Sequence, residues 1–354
     1  MTRSFAYRLA ISIMLGVGIC HAQQTTAING RVTDQTGAII PKIPVVLHNE
    51  LTDQTLSAKT TSSGYYTFSD LRPGIYDVSS QAPGFLKTSV RQIHLQLDAV
   101  VTVDLKMKAG GGTQVVTVRA NEAQLNLTNA DRGVVFTQDQ LEQAPINSGN
   151  PLLLANTVPG VYFNGNVSAG WVRPFDNSSI NQFSVNGQGS DRNDFQFNGS
   201  PDNSNSFGSR DIGYVPPTAS IQEMKFVANP YDAQYGHTGG GVFDIVSKYG
   251  TNTLHGQIYE NARRSWLDAN THYDDNPVID LGKASDDRNQ YGFELDGPVV
   301  IPHLYNGHNR TFFELQMESY SENNPLSGID SVPELSPGST TQTVAQTGDF
   351  SQDY

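Results

Sequence analysis

The sequence predicts a mainly β protein built in three successive parts, and three observations carry this reading. Residues 27–107 divide into about seven short β-prone runs with turn residues between them, the pattern of an immunoglobulin- or prealbumin-like β-sandwich. The middle of the chain mixes short helix starts with β-prone runs, as an α+β domain does. From Asn252 onward the apolar alternation lengthens into longer strands of period two.

Ahead of these parts, residues 1–22 read as a secretory signal. Arg3 and Arg8 precede an apolar core from Leu9 to Ile19, and Cys20-His21-Ala22 places small residues at the two positions that guide cleavage. The core is shorter than the roughly 20 helical residues that a bilayer span requires. Ile19 stands where a lipoprotein cysteine is preceded by a small residue, which argues against lipidation of Cys20. The chain has 354 residues, with 22 Lys and Arg, 35 Asp and Glu, and one Cys. Cleavage after Ala22 removes Arg3 and Arg8 and leaves 20 basic against 35 acidic residues, a net charge of −15. That balance repels a phosphate backbone, and no basic patch is interleaved with aromatics, so nucleic-acid binding is not expected. An exported chain without cysteine uses neither disulfides nor thiolate chemistry.

The sandwich candidates are AINGRVTD, KIPVVLHN, TLSAKTT, GYYTFS, GIYDVSSQA, FLKTSVRQIHL and VVTVDLKMK. Turns at Asp34–Gly37, Ser62–Gly64, Arg72–Gly74 and Ala82–Gly84 separate them. The segments Gly30–Pro41, Ser63–Tyr76 and Ala82–Phe85 resemble the carboxypeptidase-regulatory-like domain. No HExxH, HxxE or closely paired histidines accompany that resemblance, so a zinc peptidase site is not expected. Tyr65, Tyr66, Phe68 and Tyr76 are candidates to stack on a sugar, with core packing the favoured alternative.

Residues 109–113 form a flexible Gly-rich linker, followed by the short β-prone run Gln114, Val115, Val116, Thr117 and Val118. Beyond it, Thr137 and Gln140 make a capping box for a helix over Gln138–Gln143, stopped by Pro145. A second short helix is expected over Leu152–Asn156. Farther on lies NPYDAQYGHTGGGVFDIVSKYGTNTLHG, residues 229–256. Three consecutive glycines there permit close backbone approach before the strand candidate Val242–Val246.

After Asn252, Leu254, Gly256, Ile258 and Ala262 share one face, while His255, Gln257, Tyr259 and Asn261 share the other. Tyr291, Phe293 and Leu295 alternate with Gly292, Glu294 and Asp296, and Phe313, Leu315 and Met317 with Glu314, Gln316 and Glu318. Such strands suit either a transmembrane barrel or a soluble antiparallel sheet, and periodicity does not separate the two. Asp268–Arg288 is expected to be an extracellular loop, Pro302–Asn309 a short turn, and residues 321–354 to hold no final alternating strand.

Residues 229–256 closely resemble the segment that joins plug to barrel in Oar-like TonB-dependent outer-membrane receptors. The matching positions include Tyr231, Ala233, Tyr235, Gly236, Gly240, Gly241, Ser247, Lys248, Gly250, Thr251, Asn252, His255 and Gly256. PINSGNPLLLANTVPGV, FSVNG, DFQFNG and IQEMK resemble further plug motifs, with Ser148, Gly149 and Asn198 departing from the usual residues. The resemblance implies a fold in which a β-sandwich precedes an α+β plug and the first strands of an incomplete transmembrane β-barrel. The divisions are residues 1–22 signal, 23–108 sandwich, 109–118 linker, 119–250 plug and 251–354 barrel start. A closed barrel of this class has about 22 strands, so the chain is expected to be the N-terminal portion of a longer receptor or a truncated product.

The resemblance further implies residence in the outer membrane of a Gram-negative bacterium, embedded in outer-membrane lipid. It implies uptake of a large nutrient, such as an oligosaccharide or a metal chelate, and no enzymatic activity or cofactor. Gln114–Val118 stands where the family carries the strand that pairs with a TonB-type energy-coupling protein, the alternative being a plain linker strand of the plug. Asn198, Asp202, Tyr231 and Tyr235 are candidate ligand-facing residues, while Asp202–Ser206 lacks the closing Glu of a calcium loop. A second reading is an exported carbohydrate-binding or adhesion protein without energised transport.

Overall fold

The structure is a computed structural model that describes residues 26–110, 115–119, 132–165 except 147, 173–230 except 178, 179, 207 and 208, 235–267 except 237, 269, 287–323, 326–331, 343–348 and 351–353. The signal segment, Gln114, Tyr231 and most of the expected loop after Asp268 lie outside these residues.

Two sheets face each other in the N-terminal part. In one, Ala27–Asp34 pairs antiparallel with Tyr65–Phe68 and parallel with Val100–Thr102 and Leu105–Met107. The other runs Thr55–Lys59, Pro44–Asn49, Gly74–Ser80, Lys87–Leu95 and Val115–Arg119 in spatial order. Strand alternation drives the inner faces together, burying Ile28, Val32, Val45, Leu47, Val78, Ile93 and Leu105. The expected single run VVTVDLKMK is broken at Val103-Asp104, because Val103 N donates to Asn29 O and Asp104 Oδ1 accepts from Arg31 N. Gly30 permits this crossing, since a Cβ there would collide with the Val103 carbonyl.

The second part is a five-stranded mixed sheet ordered Arg132–Thr137, Ile221–Asn229, Val242–Ser247, Asp194–Phe197 and Ser200–Pro201. Val242–Ser247 sits at its centre, antiparallel to Ile221–Asn229 and parallel to Asp194–Phe197. One sheet face carries a stack of rings: Phe243 lies 4.6 Å from Phe226, 5.0 Å from Phe195 and 5.1 Å from Phe183, centroid to centroid. The helix forms over Gln138–Gln143, with Gln140 Oε1 accepting from Thr137 N at 3.0 Å as the capping box predicts. The second helix is a 3-10 turn, Pro151–Thr157, opened by Asn150, whose Oδ1 accepts from Leu152 N at 3.1 Å. Asn186-Gly187 and Asn198-Gly199 both take positive φ at both residues, the chemistry that two-residue hairpin turns demand. The glycine run serves a close backbone crossing. Gly240 N donates to Arg192 O and Gly241 N to Asn193 Oδ1, and a Cβ on Gly241 would lie 2.7 Å from the Phe226 ring.

The third part is a sheet ordered His255–Arg263, Asp287–Pro298, Phe312–Asn323 and Ser351–Asp353. Its two longest strands pair in continuous register from Asp287↔Asn323 to Pro298↔Phe312. Between them, Val300–Ile301 and Tyr305–Asn306 make a small hairpin where a plain turn was expected. The end of the chain also differs from expectation. Ser351–Asp353 joins the sheet beside Ser321–Asn323, and Leu326–Ser331 pairs with Thr343–Gly348. Backbone ladder bonds override a side-chain composition rich in Ser, Thr and Gln there.

The sandwich is docked on the other two parts. Tyr249 OH donates to Pro73 O at 3.0 Å and the Arg72 guanidinium lies 5.1 Å over the Tyr249 ring. Asn252 donates from its backbone N to Leu51 O and from Nδ2 to Thr52 O. A cavity of about 680 Å³ lies between Leu47, Tyr76, Tyr249, Arg310 and Phe312 along this seam.

Because Phe243 joins three rings at the sheet centre, Phe243→Ala is expected to destabilise the domain by about 3–5 kcal/mol. Urea unfolding followed by tryptophan fluorescence checks this; a loss below about 1 kcal/mol would show the ring stack to be dispensable.

Candidate functional site

The long strands are inside out by the standards of a water-soluble sheet. Their apolar parity is bare: Ile258 is 90% exposed, Leu315 53% and Met317 61%. Their polar parity is covered. Glu294, 6% exposed, accepts from Gln257 Nε2 at 2.7 Å and from Lys248 Nζ at 2.9 Å. Gln290 Nε2 donates to Glu318 Oε1 at 3.1 Å, and Tyr259 OH to Glu318 Oε2 at 2.6 Å. Lys248, just past the central strand of the second part, also reaches Glu142 of the helix at 3.4 Å. One ammonium thus ties the helix of the second part to the polar face of the third. In water the apolar face would be the one to bury; here the polar face packs on the neighbouring domain and the apolar face is offered to surroundings that must themselves be apolar.

The sequence comparisons agree with that inversion. Residues 27–108 match the carboxypeptidase regulatory-like domain, residues 126–242 the TonB-dependent receptor plug domain, and residues 246–353 an outer membrane beta barrel domain. The chain belongs to the TonB-dependent outer-membrane receptors. It is 21% identical over 257 residues to the TonB-dependent transporter Oar of Myxococcus xanthus, covering 70% of this chain and 22% of that protein. It is 27% identical over 192 residues to the probable TonB-dependent siderophore receptor PirA of Acinetobacter baumannii, covering 50% of this chain and 22% of that one. Among solved structures, the outer membrane transporter YddB from Escherichia coli aligns with 62% of this chain and 30% of its own, at 14% identity and a TM-score of 0.39. The chain therefore spans 22% of the length of each of these curated relatives.

Within this receptor architecture the residues singled out in the sequence fall in separate places. Val115, Val116, Thr117 and Val118 lie in the strand Val115–Arg119, which runs parallel to Lys87–Arg91 at the edge of the sandwich sheet. The linker-strand alternative had placed this run in the plug; its ladder partner is instead the sandwich. Asn198 is the first residue of a tight turn, its side chain locked to the central strand by bonds to Ser247 N at 3.0 Å and Ser247 Oγ at 3.1 Å. Asp202 is half-buried and accepts from Tyr214 N at 3.3 Å, and burial raises its pKa. Tyr235 does not face a ligand space: it is 4% exposed, and its hydroxyl donates to Asp98 of the sandwich at 2.9 Å. Of the four sugar-stacking candidates, Tyr66, Phe68 and Tyr76 are sandwich core and Tyr65 alone is exposed, beneath the Arg31 guanidinium at 5.3 Å.

What sequence reading passed over is the polar cluster around Tyr235. Asp98 Oδ2 also accepts from Lys225 Nζ at 3.3 Å, and Leu97 N donates to Glu223 Oε2 at 2.7 Å. Asp244, directly opposite Lys225 in the sheet, is 3% exposed. Burial and then the Asp98 carboxylate raise the Asp244 pKa well above the ordinary carboxylate range, and burial raises that of Glu223 to about 7. The available signal was an Asp inside the apolar run VFDIV, matched by charges two residues apart in IQEMK.

Reversing the polarity of the bare face tests its assignment to lipid. Ile258→Arg is expected to cost about 2–4 kcal/mol of stability in a bilayer if the residue lies near the midplane. Folding titrations in phospholipid vesicles read it, and a cost no larger than that of Gln257→Arg would contradict a lipid-facing parity.

Proposed function

We propose that this chain forms the front end of an energised uptake receptor, in which Gln114–Val118 is the segment that a TonB-type protein engages. The observation that carries the proposal is the position of Val115–Arg119. It lies at the edge of its sheet and is, among the described residues, the last strand before the plug begins at Arg132–Thr137. An edge strand exposes a row of backbone donors and acceptors that an extended peptide of another protein can join. Tension applied there reaches the plug through residues 120–131, and a plug shifted within a barrel opens a lumen.

The cargo in this reading is a large polar nutrient held above the plug, an oligosaccharide or a metal chelate. That the Acinetobacter relative is a probable siderophore receptor favours the chelate. Asn198, Asp202 and the loops beside them would contribute to the plug's share of the surface. Lipid on the bare apolar parity and a coupling protein on the edge strand are the partners.

Disulfide trapping checks the coupling assignment. Cysteines placed at Val116 and along the strand-pairing segment of a TonB-type C-terminal domain are expected to cross-link in a register-dependent way. Val118→Pro, which removes a ladder donor, is expected to lower the yield at least about tenfold. Equal yields with and without the proline, or at all registers, would leave the segment as a linker.

A further inference from the structure

The bare apolar face of the third part does not end where its ladder ends. Ile258, Phe293 and Met317 form one exposed row across the three strands, and Gly256, Leu295 and Leu315 the next row down. Below them lies exposed Leu254, packed on Gly297, where an added Cβ would come within 3.0 Å of Leu254 Cδ1. The chain then enters the hairpin of Val300–Ile301 and Tyr305–Asn306, in which Ile301 pairs directly with Tyr305, so both side chains share one face. Leu304 N donates to Ile301 O at 3.0 Å, with Pro302 and then His303 at φ 63° between them, the arrangement of a type II turn. Leu304 at this tip is 80% exposed, and Val300, Ile301 and Tyr305 are exposed with it.

The foot of the hairpin is pinned, so the tip cannot simply fold back to cover itself. Val299 N donates to Thr311 O and Gly307 N to Val299 O, both at 2.9 Å, and Tyr305 OH and Thr311 Oγ1 are hydrogen-bonded at 2.6 Å. Asn309 donates from its backbone N to Asn252 Oδ1 at 2.8 Å and from Nδ2 to Asp53 Oδ2 of the sandwich at 3.2 Å. Residues 297–313 contain no Asp or Glu, although the whole chain has 35. Arg310, at the foot, has no ion-pair partner among the described residues. An occupant of this surface must be apolar around Leu304, polar around the Tyr305 hydroxyl and His303, and continuous with whatever covers Leu254 and Leu315. A phospholipid leaflet meets all three conditions, and a segment without carboxylates does not repel anionic headgroups.

We propose that the hairpin Val300–Asn306 is seated in the periplasmic leaflet of the membrane, with Ile301, Leu304 and Tyr305 at the boundary between headgroups and acyl chains. It continues the lipid face of the barrel sheet past the last ladder row and fixes how deep that sheet sits. Through Asn309 it also gives the sandwich a footing at a set height beneath the bilayer. The assignment rests on the uptake-receptor reading, which makes the sandwich end of the sheet the periplasmic end.

Depth-dependent fluorescence quenching tests the seating, in the full chain carrying Cys20→Ser and reconstituted in vesicles of phosphatidylethanolamine and phosphatidylglycerol. One environment-sensitive fluorophore is placed on Leu304→Cys and, in separate samples, on Ile258→Cys in the barrel sheet and on exposed Ser57→Cys in the sandwich. The Leu304 label is expected to be quenched at least about twofold more by lipid with a nitroxide near the headgroup than by lipid with one near the chain end. Iodide on both sides of the membrane is expected to quench it at most about a third as strongly as the Ser57 label. Ile301→Cys repeats the measurement should the first variant not fold. Iodide quenching at the tip equal to that at Ser57, with the Ile258 label reached by lipid, would overturn the seating and leave the receptor reading intact. Shielding of the tip from both quenchers would overturn it too, and assign the tip to protein: the sandwich, further strands or a second copy. An Ile258 label out of reach of lipid would remove the lipid face itself, and the receptor reading with it.

Discussion

The strand Val242–Ser247 is buried on both faces, and the rest of the molecule is arranged to make that possible. Its Phe243 and Ile245 face the aromatic core of the plug, and its Val242, Asp244 and Val246 face the seam with the sandwich. A strand with no wet face needs a cover on each side and a partner at each edge. Ile221–Asn229 and Asp194–Phe197 provide the partners, Phe183 with Leu141 and Leu152 of the plug core one cover, and the sandwich the other. The glycines before the strand let the Arg192–Asn193 backbone pass close by, and the Lys248 that follows it carries the chain into the barrel sheet already anchored to Glu294.

The barrel sheet solves a different problem. Its polar parity would be costly in lipid, and its central carboxyls have donors: Lys248 and Gln257 for Glu294, Tyr259 and Gln290 for Glu318. A plug that presents Lys248 and polar loops to that face replaces the water such groups would otherwise require. The inverted parity and the docked plug are therefore one design, since neither surface would be tolerable alone.

Much of this was legible in the sequence, for physical reasons that differ by element. Period-two alternation marked the sandwich strands and grouped Ile258, Phe293, Leu315 and Met317 on the parity that the structure leaves exposed. Local chemistry located the Thr137–Gln140 capping box, because that signal acts within four residues. The break at Val103 escaped because it depends on Gly30, more than seventy residues away. Tyr235 was read as ligand-facing because a tyrosine in a Gly-rich run looks exposed; its partner, Asp98, sits in another domain. The placement of Val115–Arg119 was hidden for the same reason, since a short valine run fits any free sheet edge equally well.

That placement sets how the molecule would bear load. The ladder between Val115–Arg119 and Lys87–Arg91 is parallel, with evenly spaced, slanted bonds. Tension along the strand axis strains those bonds together in shear, whereas tension across it breaks them one at a time like a zip. Since the strand is bonded to the sandwich, the sandwich would feel the proposed pull before the plug. It would then act as a mechanical fuse, whose failure threshold depends on the direction from which the force arrives.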